Sequence, residues 1–191
     1  CYPTSVLLPL IPLIKNKSIQ TKNIIIDSKS GYSGAGRSVH KKYKNKNLYE
    51  SLSAYGIGFH RHNSEIEQEL KNYTNSVIKF TFTPHLVPMF RGILSTIYVD
   101  LKPGFSIKKI FKIMKKFHKK NVFVNVLKIN SLISTNDVIN TNYCNISICE
   151  TKYKNKLIIL SALDNLIKGG AGQAIQNMNL KFGFKFNEGI K

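Results

Sequence analysis

Residues 106–119 carry apolar side chains at a period near 3.6, with Ile107, Ile110, Phe111, Met114 and Phe117 on one side of a helix and lysines filling the other. Such a stripe has to be buried against something, and the flanking segments supply the partner. Residues 77–83 and 93–101 alternate in strand fashion around a loop at 84–92 and can pair in one sheet. Residues 121–128, 145–150 and 157–160 read as further strands, and 22–27 as a short buried one. Helical patterns cover 5–15 and 164–178, and Ser64 followed by Glu67 reads as a capping box for a helix over 65–73. Strands and helices come in runs, without strict strand–helix alternation and without an early Gly-rich strand–turn–helix fingerprint. The class is therefore α+β, with a mixed or antiparallel sheet and helices.

A chain of 191 residues that is 42% hydrophobic is long enough for one compact domain with a real core. Its longest apolar stretch, 5–14, is broken by Pro9 and Pro12 and falls short of the ~20 residues a bilayer span needs, so no membrane partner is expected. No basic-apolar-small leader precedes the first motif, and a chain opening on Cys1 points to an internal start. Three cysteines cannot all pair, and Cys144 and Cys149 sit in a strand-like run, which fits a reduced, cytoplasmic compartment.

The net charge of +19 invites a nucleic-acid reading, since clustered cations bind phosphate backbones by releasing counterions. The distribution argues against a specific nucleic-acid partner. Lysine recurs through most segments, interleaved with Asn and Ile, and only Arg37, Arg61 and Arg91 are arginines. A dedicated nucleic-acid surface draws on Arg for bidentate contacts. A compositional lysine bias accounts for the charge and makes the surviving arginines conspicuous.

Four segments carry chemistry. Cys1 stands at the N-terminus of the first predicted helix, where the helix dipole and unpaired amides favour a thiolate. His60-Arg61-His62 on a loop offers a base that changes charge near neutral pH, and Glu65 is close enough to orient a ring. Two histidines one residue apart on an extended loop point opposite ways, so one of them faces the site; with no further ligand at the right spacing, no metal site is expected. Ser33-Gly34-Ala35-Gly36-Arg37 and Phe90-Arg91-Gly92 add the remaining arginines. A retained Arg suggests a rigid fork for a carboxylate or phosphoryl group, and Gly34 and Gly36 let backbone amides approach an anion. Finally, Gly169, Gly170 and Gly172 fall where a helix should start. Each disfavours the helix by about 1 kcal/mol relative to Ala, so they serve close packing, with a cofactor or a second domain as the expected neighbour.

Taken in order, Cys1-Tyr2-Pro3-Thr4, Asp27 to Gly31 with Ser33 to Arg37, His60-Arg61-His62 with Glu65-Ile66, Pro84 to Met89 with Arg91-Gly92, and Asn165-Leu166 through Asn177-Met178-Asn179 resemble the N-acetyl-gamma-glutamyl-phosphate reductases over essentially the whole chain. The resemblance implies a fold like the catalytic domain of glyceraldehyde-3-phosphate and aspartate-semialdehyde dehydrogenases. It also implies a Rossmann domain binding NADPH that ends just before Cys1, and a homo-oligomer. It implies reduction of N-acetylglutamyl 5-phosphate to the semialdehyde in arginine biosynthesis through a thioester on Cys1. His62 becomes the general acid/base with Glu65 as orienter and His60 as the fallback, while Arg37, Arg61, Arg91 and His60 become candidates for gripping the substrate. Residues 1–162 form the catalytic and dimerisation domain. Residues 163–191 form a helix and tail that pack on the nucleotide domain, which sets Gly34 and Asn177 near the cofactor.

The sequence departs from the family pattern at Asn63-Ser64, where a Pro before Glu65 is common, and at Pro9 inside the first helix. Neither change removes a reacting group. Without a phosphate-cradling strand–turn–helix, residues 1–191 alone are expected to bind NADPH poorly and to be inactive. An aspartate-semialdehyde-type dehydrogenase is the alternative on the same fold, and a basic nucleic-acid-binding protein the alternative outside enzymes.

Overall fold

The computed structural model describes residues 1–38 and 50–190, without the side chains of Arg37 and Ser38. Its elements run α1 (Tyr2–Lys15), β1 (Ile24–Ser30), a 3-10 turn (Tyr32–Ser38), β2 (Ser53–Ala54), α2 (His62–Lys71), β3 (Phe80–Leu86), β4 (Ile93–Asp100) and α3 (Ile107–His118). They continue with β5 (Val124–Val126), a second 3-10 turn (Thr135–Asp137), β6 (Cys144–Glu150), β7 (Lys156–Leu163), a π-turn (Ile167–Ala171) and α4 (Gly172–Phe182). One seven-stranded sheet has the order β2-β3-β1-β4-β7-β6-β5. The pairs β1/β3 and β5/β6 are parallel and the others antiparallel, so the sheet is mixed and the fold is α+β, as the runs of elements predict.

The core follows from the two-residue period of the strands. Phe82, Ile26, Ile97, Ile159 and Ile148 stand side by side across five adjacent strands, and all are buried. Burying each such side chain stabilises the fold by roughly 1.5–3 kcal/mol. The Ile/Val/Leu face is closed by α1, which packs on β4 and β7 and is flanked by α2 and α3. Helix α3 presents Ile110, Met114 and His118 inward, with Ser106 capping its start by accepting from Lys109 N. Phe117, predicted for the inner face, is 42% exposed, and His118 takes the buried place, its Nε2 lying 2.9 Å from Leu8 O.

One register beyond the isoleucine row, Ser28, Ser95 and Ser161 replace the aliphatics. Ser28 and Ser95 are bonded Oγ to Oγ at 2.7 Å, and Ser95 to Ser5 of α1 at 2.7 Å. Ser5 Oγ donates to the Tyr2 carbonyl at 2.8 Å. Because that carbonyl can only accept, the protons run in one direction: Ser28 donates to Ser95, Ser95 to Ser5, and Ser5 to Tyr2. The chain ties the first turn of α1 to the sheet interior.

Several expectations are corrected. Strands β3 and β4 share the sheet but are not neighbours, because β1 lies between them. Residues 84–86 belong to β3 instead of a loop, with Pro84 beside Ser28 and its carbonyl accepting from Tyr55 N. Helix α2 starts at His62, ahead of the predicted start, and no capping box forms. Ser64 lies within the first turn and its hydroxyl donates back to Arg61 O, a local bond that competes with capping. The last helix is delayed to Gly172, because the buried Asp164 carboxylate accepts from Leu166 N and Ile167 N and folds residues 164–171 into a wide π-turn first. The long first helix forms despite Pro9 and Pro12, which are both buried.

Candidate active site

Cys1 is the N-cap of α1, whose first turn contains Pro3, where an amide donor would be unsatisfied in any helix. The thiol therefore stands at the positive end of a 14-residue helix. It opens on a cavity of about 280 Å3 lined by Tyr2, Gly34, His60, Arg61 and His62 among others, small for a ligand pocket but enclosed by reactive side chains. Behind it, Gly169 of the π-turn comes so close that a Cβ there would lie 2.5 Å from Cys1 Cβ and 3.0 Å from its Cα. The last glycine run does serve close packing, as its position predicts. The neighbours, however, are Cys1 for Gly169 and Asn142 for Gly172, where a Cβ would meet Asn142 Oδ1, so both contacts lie within this chain.

The two histidines meet in this cavity instead of facing apart, because His62 begins α2 and the chain turns between them. Their ring centroids are 4.9 Å apart, and the Tyr2 ring packs edge-on against both. His60 Nδ1 accepts from His62 N at 3.2 Å, which fixes that nitrogen as the unprotonated one. Burial above all, with His60 and Arg61 alongside, pushes the His62 pKa down to about 4, so its ring is neutral at pH 7. Burial and then Arg61 lower His60 as well. A neutral imidazole lining the same cavity as a helix-capping thiol is an arrangement that can take the thiol proton.

The expected Glu65–His62 hydrogen bond is not formed. His62 Nδ1 is buried with no partner among the described residues, while Glu65, one helical turn along α2, is exposed to solvent. Among the arginines, Arg61 lines the cavity and is exposed at its edge. Arg91 does not line it: its Nε lies 3.4 Å from the buried Asp164 carboxylate and its Nη1 donates to Asn140 Oδ1. The Arg91 guanidinium is thus turned toward Asp164 and Asn140, away from the cavity where it was expected to grip substrate. The Arg37 side chain lies outside the described residues. Gly34 lines the cavity, its amide engaged with Gly31 O at 3.4 Å. Asn177 is exposed on α4 and does not line the cavity.

Sequence reasoning passed over Tyr2, which bridges the histidines to the core, and Asn165. The buried Asn165 side chain accepts from Gly92 N at 2.7 Å and donates to Ser33 Oγ at 2.9 Å, so it joins the turn after β1 to the turn before β4. A buried Asn within a motif already conspicuous for glycines was the available signal. Among the described residues, no group of three or more His, Cys, Asp or Glu side chains comes together as a metal would need, and no helix is long and apolar enough to cross a membrane.

A family profile described as "Semialdehyde dehydrogenase, dimerisation domain" matches residues 1–165. The chain is 49% identical over 190 residues to an N-acetyl-gamma-glutamyl-phosphate reductase of Clostridium botulinum and 44% identical over 191 residues to one of Staphylococcus aureus. Each alignment covers 100% of this chain but 55% and 56% of the relative, so the chain spans about half the length of the curated relatives it matches. In three dimensions it is similar to aspartate semialdehyde dehydrogenases from Francisella tularensis (TM-score 0.71, 15% identity, 94% of this chain and 62% of that one) and Vibrio cholerae (TM-score 0.71, 14% identity, 94% and 59%). With this profile matching most of its length, the chain belongs to the semialdehyde dehydrogenase dimerisation domain family.

Proposed function

We propose that this chain is the catalytic and dimerisation part of an N-acetyl-gamma-glutamyl-phosphate reductase, reducing N-acetylglutamyl 5-phosphate to the semialdehyde in arginine biosynthesis as a homo-oligomer. The observation that carries the reading is Cys1 at the N-cap of α1, opening on the cavity it shares with His60, Arg61 and His62. Identities of 44–49% with reductases, against 14–15% with aspartate semialdehyde dehydrogenases of the same fold, favour the N-acetylglutamyl substrate over the aspartyl one.

His62, neutral at pH 7, takes the thiol proton, and the helix dipole stabilises the resulting thiolate. The thiolate attacks the acyl carbon and phosphate leaves, so the acyl group is held as a thioester on Cys1. NADPH, when bound, supplies the hydride that brings the acyl carbon to the aldehyde level. Gly34 on the cavity wall leaves room for a flat ring to approach, because it has no side chain to project there. Asn177 is not part of that wall. The proton taken from Cys1 remains on His62 in the same cavity, available to the oxygen of the reacting carbonyl; the carbon–sulfur bond then breaks, the semialdehyde leaves and the proton returns to the Cys1 sulfur. Arg61 offers a planar fork to the substrate carboxylate or phosphoryl group at the cavity edge.

The test uses the full-length protein. Cys1→Ser should abolish reduction of the acyl phosphate while NADPH binding, followed by fluorescence, is retained. Turnover persisting in Cys1→Ser would sink the assignment.

A further inference from the structure

A lysine on a helical turn ordinarily sends its ammonium to solvent. Lys168 does the reverse. It is 5% exposed, and among the described residues no carboxylate pairs with it. Its Nζ donates to Gln176 Oε1 at 2.7 Å and lies 5.7 Å from the centroid of the Phe123 ring. Asn142 Nδ2 donates to the same Gln176 oxygen at 3.1 Å. Burial lowers the Lys168 pKa from its ordinary value, as expected for a cation held by uncharged neighbours. A buried ammonium with such partners is costly, so its retention in a chain with lysines to spare calls for a local reason.

The reason lies in the next residue. Lys168 and Gly169 occupy the π-turn, in which Gly170 is non-helical at φ −142°, ψ −105°. Turns of this kind are held by their surroundings, and they concentrate at functional sites. One end is fixed by Asp164, whose carbonyl accepts from Gly169 N at 2.9 Å and whose carboxylate accepts from Leu166 and Ile167. The other is fixed by the Lys168 side chain, which crosses to Gln176 on α4. Between these anchors Gly169 is pressed against Cys1, close enough that the position of one sets the position of the other. A second tie, Thr4 Oγ1 to Gln173 Oε1 at 2.8 Å, joins α1 to α4 directly.

We infer that Lys168 is a positioning residue for the Cys1 thiol: anchored to Gln176 and Phe123, it holds the π-turn so that Gly169 is a rigid back wall to the nucleophile. The inference rests on the reading of Cys1 as the nucleophile. Lys168→Met in the full-length protein keeps the apolar stem and removes the bond to Gln176. Iodoacetamide labelling of Cys1, read by peptide mass with Cys149 as the internal reference, is expected to slow by about tenfold, because small misplacement of a reacting group is costly in rate. The value of kcat should fall in parallel while KM changes little. Gln176→Leu, which removes the acceptor from the other side, should reproduce the loss if Lys168→Met fails to fold. Gln176→Glu, which keeps an acceptor, should retain the wild-type labelling rate. Wild-type Cys1 labelling in both Lys168→Met and Gln176→Leu would overturn the positioning role, whereas turnover surviving in Cys1→Ser would instead overturn the nucleophile itself, so the two failures are told apart.

Discussion

The glycine-rich turn after β1 and the glycine-rich turn before α4 both border Cys1, but an added methyl group would meet different surroundings in each. At Gly34 the nearest atom is Ser30 Oγ at 3.4 Å, an ordinary contact, and the residue faces the cavity. At Gly169 the methyl would overlap Cys1 itself. The first turn forms an open wall where a ligand can approach, and the second forms a sealed wall that fixes the nucleophile from behind. Gly31 shows that the open side also needs one close approach, since a Cβ there would lie 2.6 Å from Phe90 O, where the turn crosses the segment leading into β4. Glycine count alone does not separate these roles; the identity of the facing atoms does.

The contrast can be broken most directly at Gly169. Gly169→Ala forces a carbon into backbone and Cβ atoms that cannot swing away, so it should lower stability by about 3 kcal/mol and suppress Cys1 alkylation. Denaturant unfolding and thiol labelling measure both, and a normal labelling rate in a folded variant would show the back wall to be soft. Next in size, Arg91→Met strips the cation from the fully buried Asp164 carboxylate, which keeps its backbone donors. A loss of about 1–2 kcal/mol is expected, with the substrate KM little changed because Arg91 does not line the cavity. A large rise in KM at constant stability would return Arg91 to the substrate.

On the open side, His62 supplies a pH signature. Its folded pKa of about 4 lies below the ordinary 6.5, so as pH falls through that window the unfolded chain takes up a proton that the folded chain refuses. Stability should decline from about pH 6.5 down to about 4 and level off below. A ring titration by NMR with its midpoint at the ordinary value would mean that the imidazole is solvated. The smallest stability effect belongs to Gly34→Ala, below about 0.5 kcal/mol, yet the added methyl should raise a ligand KM by about tenfold by narrowing the cavity. Equal effects at Gly34 and Gly169 would dissolve the distinction between the walls.

The periodic parts of this fold were legible in the sequence because their causes are local. The stripe of residues 106–119 becomes α3, and alternation at 145–150 and 157–160 becomes β6 and β7. What misled was any inference about which distant segment answers a local signal. Ser64 and Glu67 have the letters of a capping box, but the chain enters α2 at His62, three residues before the predicted start at 65, and Ser64 bonds backward. Residues 77–83 and 93–101 alternate alike, yet β1 comes between them from fifty residues upstream. Likewise the scarcity of arginine marked Arg61 and Arg91 equally, although one reaches the cavity and the other an internal carboxylate.

By itself the sequence determined the α+β class, the helix start at Cys1 and the demand for close approach at residues 169–172. Helix periodicity, the amide-rich start of a helix and the missing Cβ of glycine are properties of short stretches, readable without partners. Only the tertiary structure decided that His60 and His62 face one cavity together, that Glu65 stands apart from the ring it was expected to orient, and that Gly169 backs onto Cys1. Those outcomes depend on where α2 and the π-turn land against α1, which long-range packing sets and no local pattern encodes.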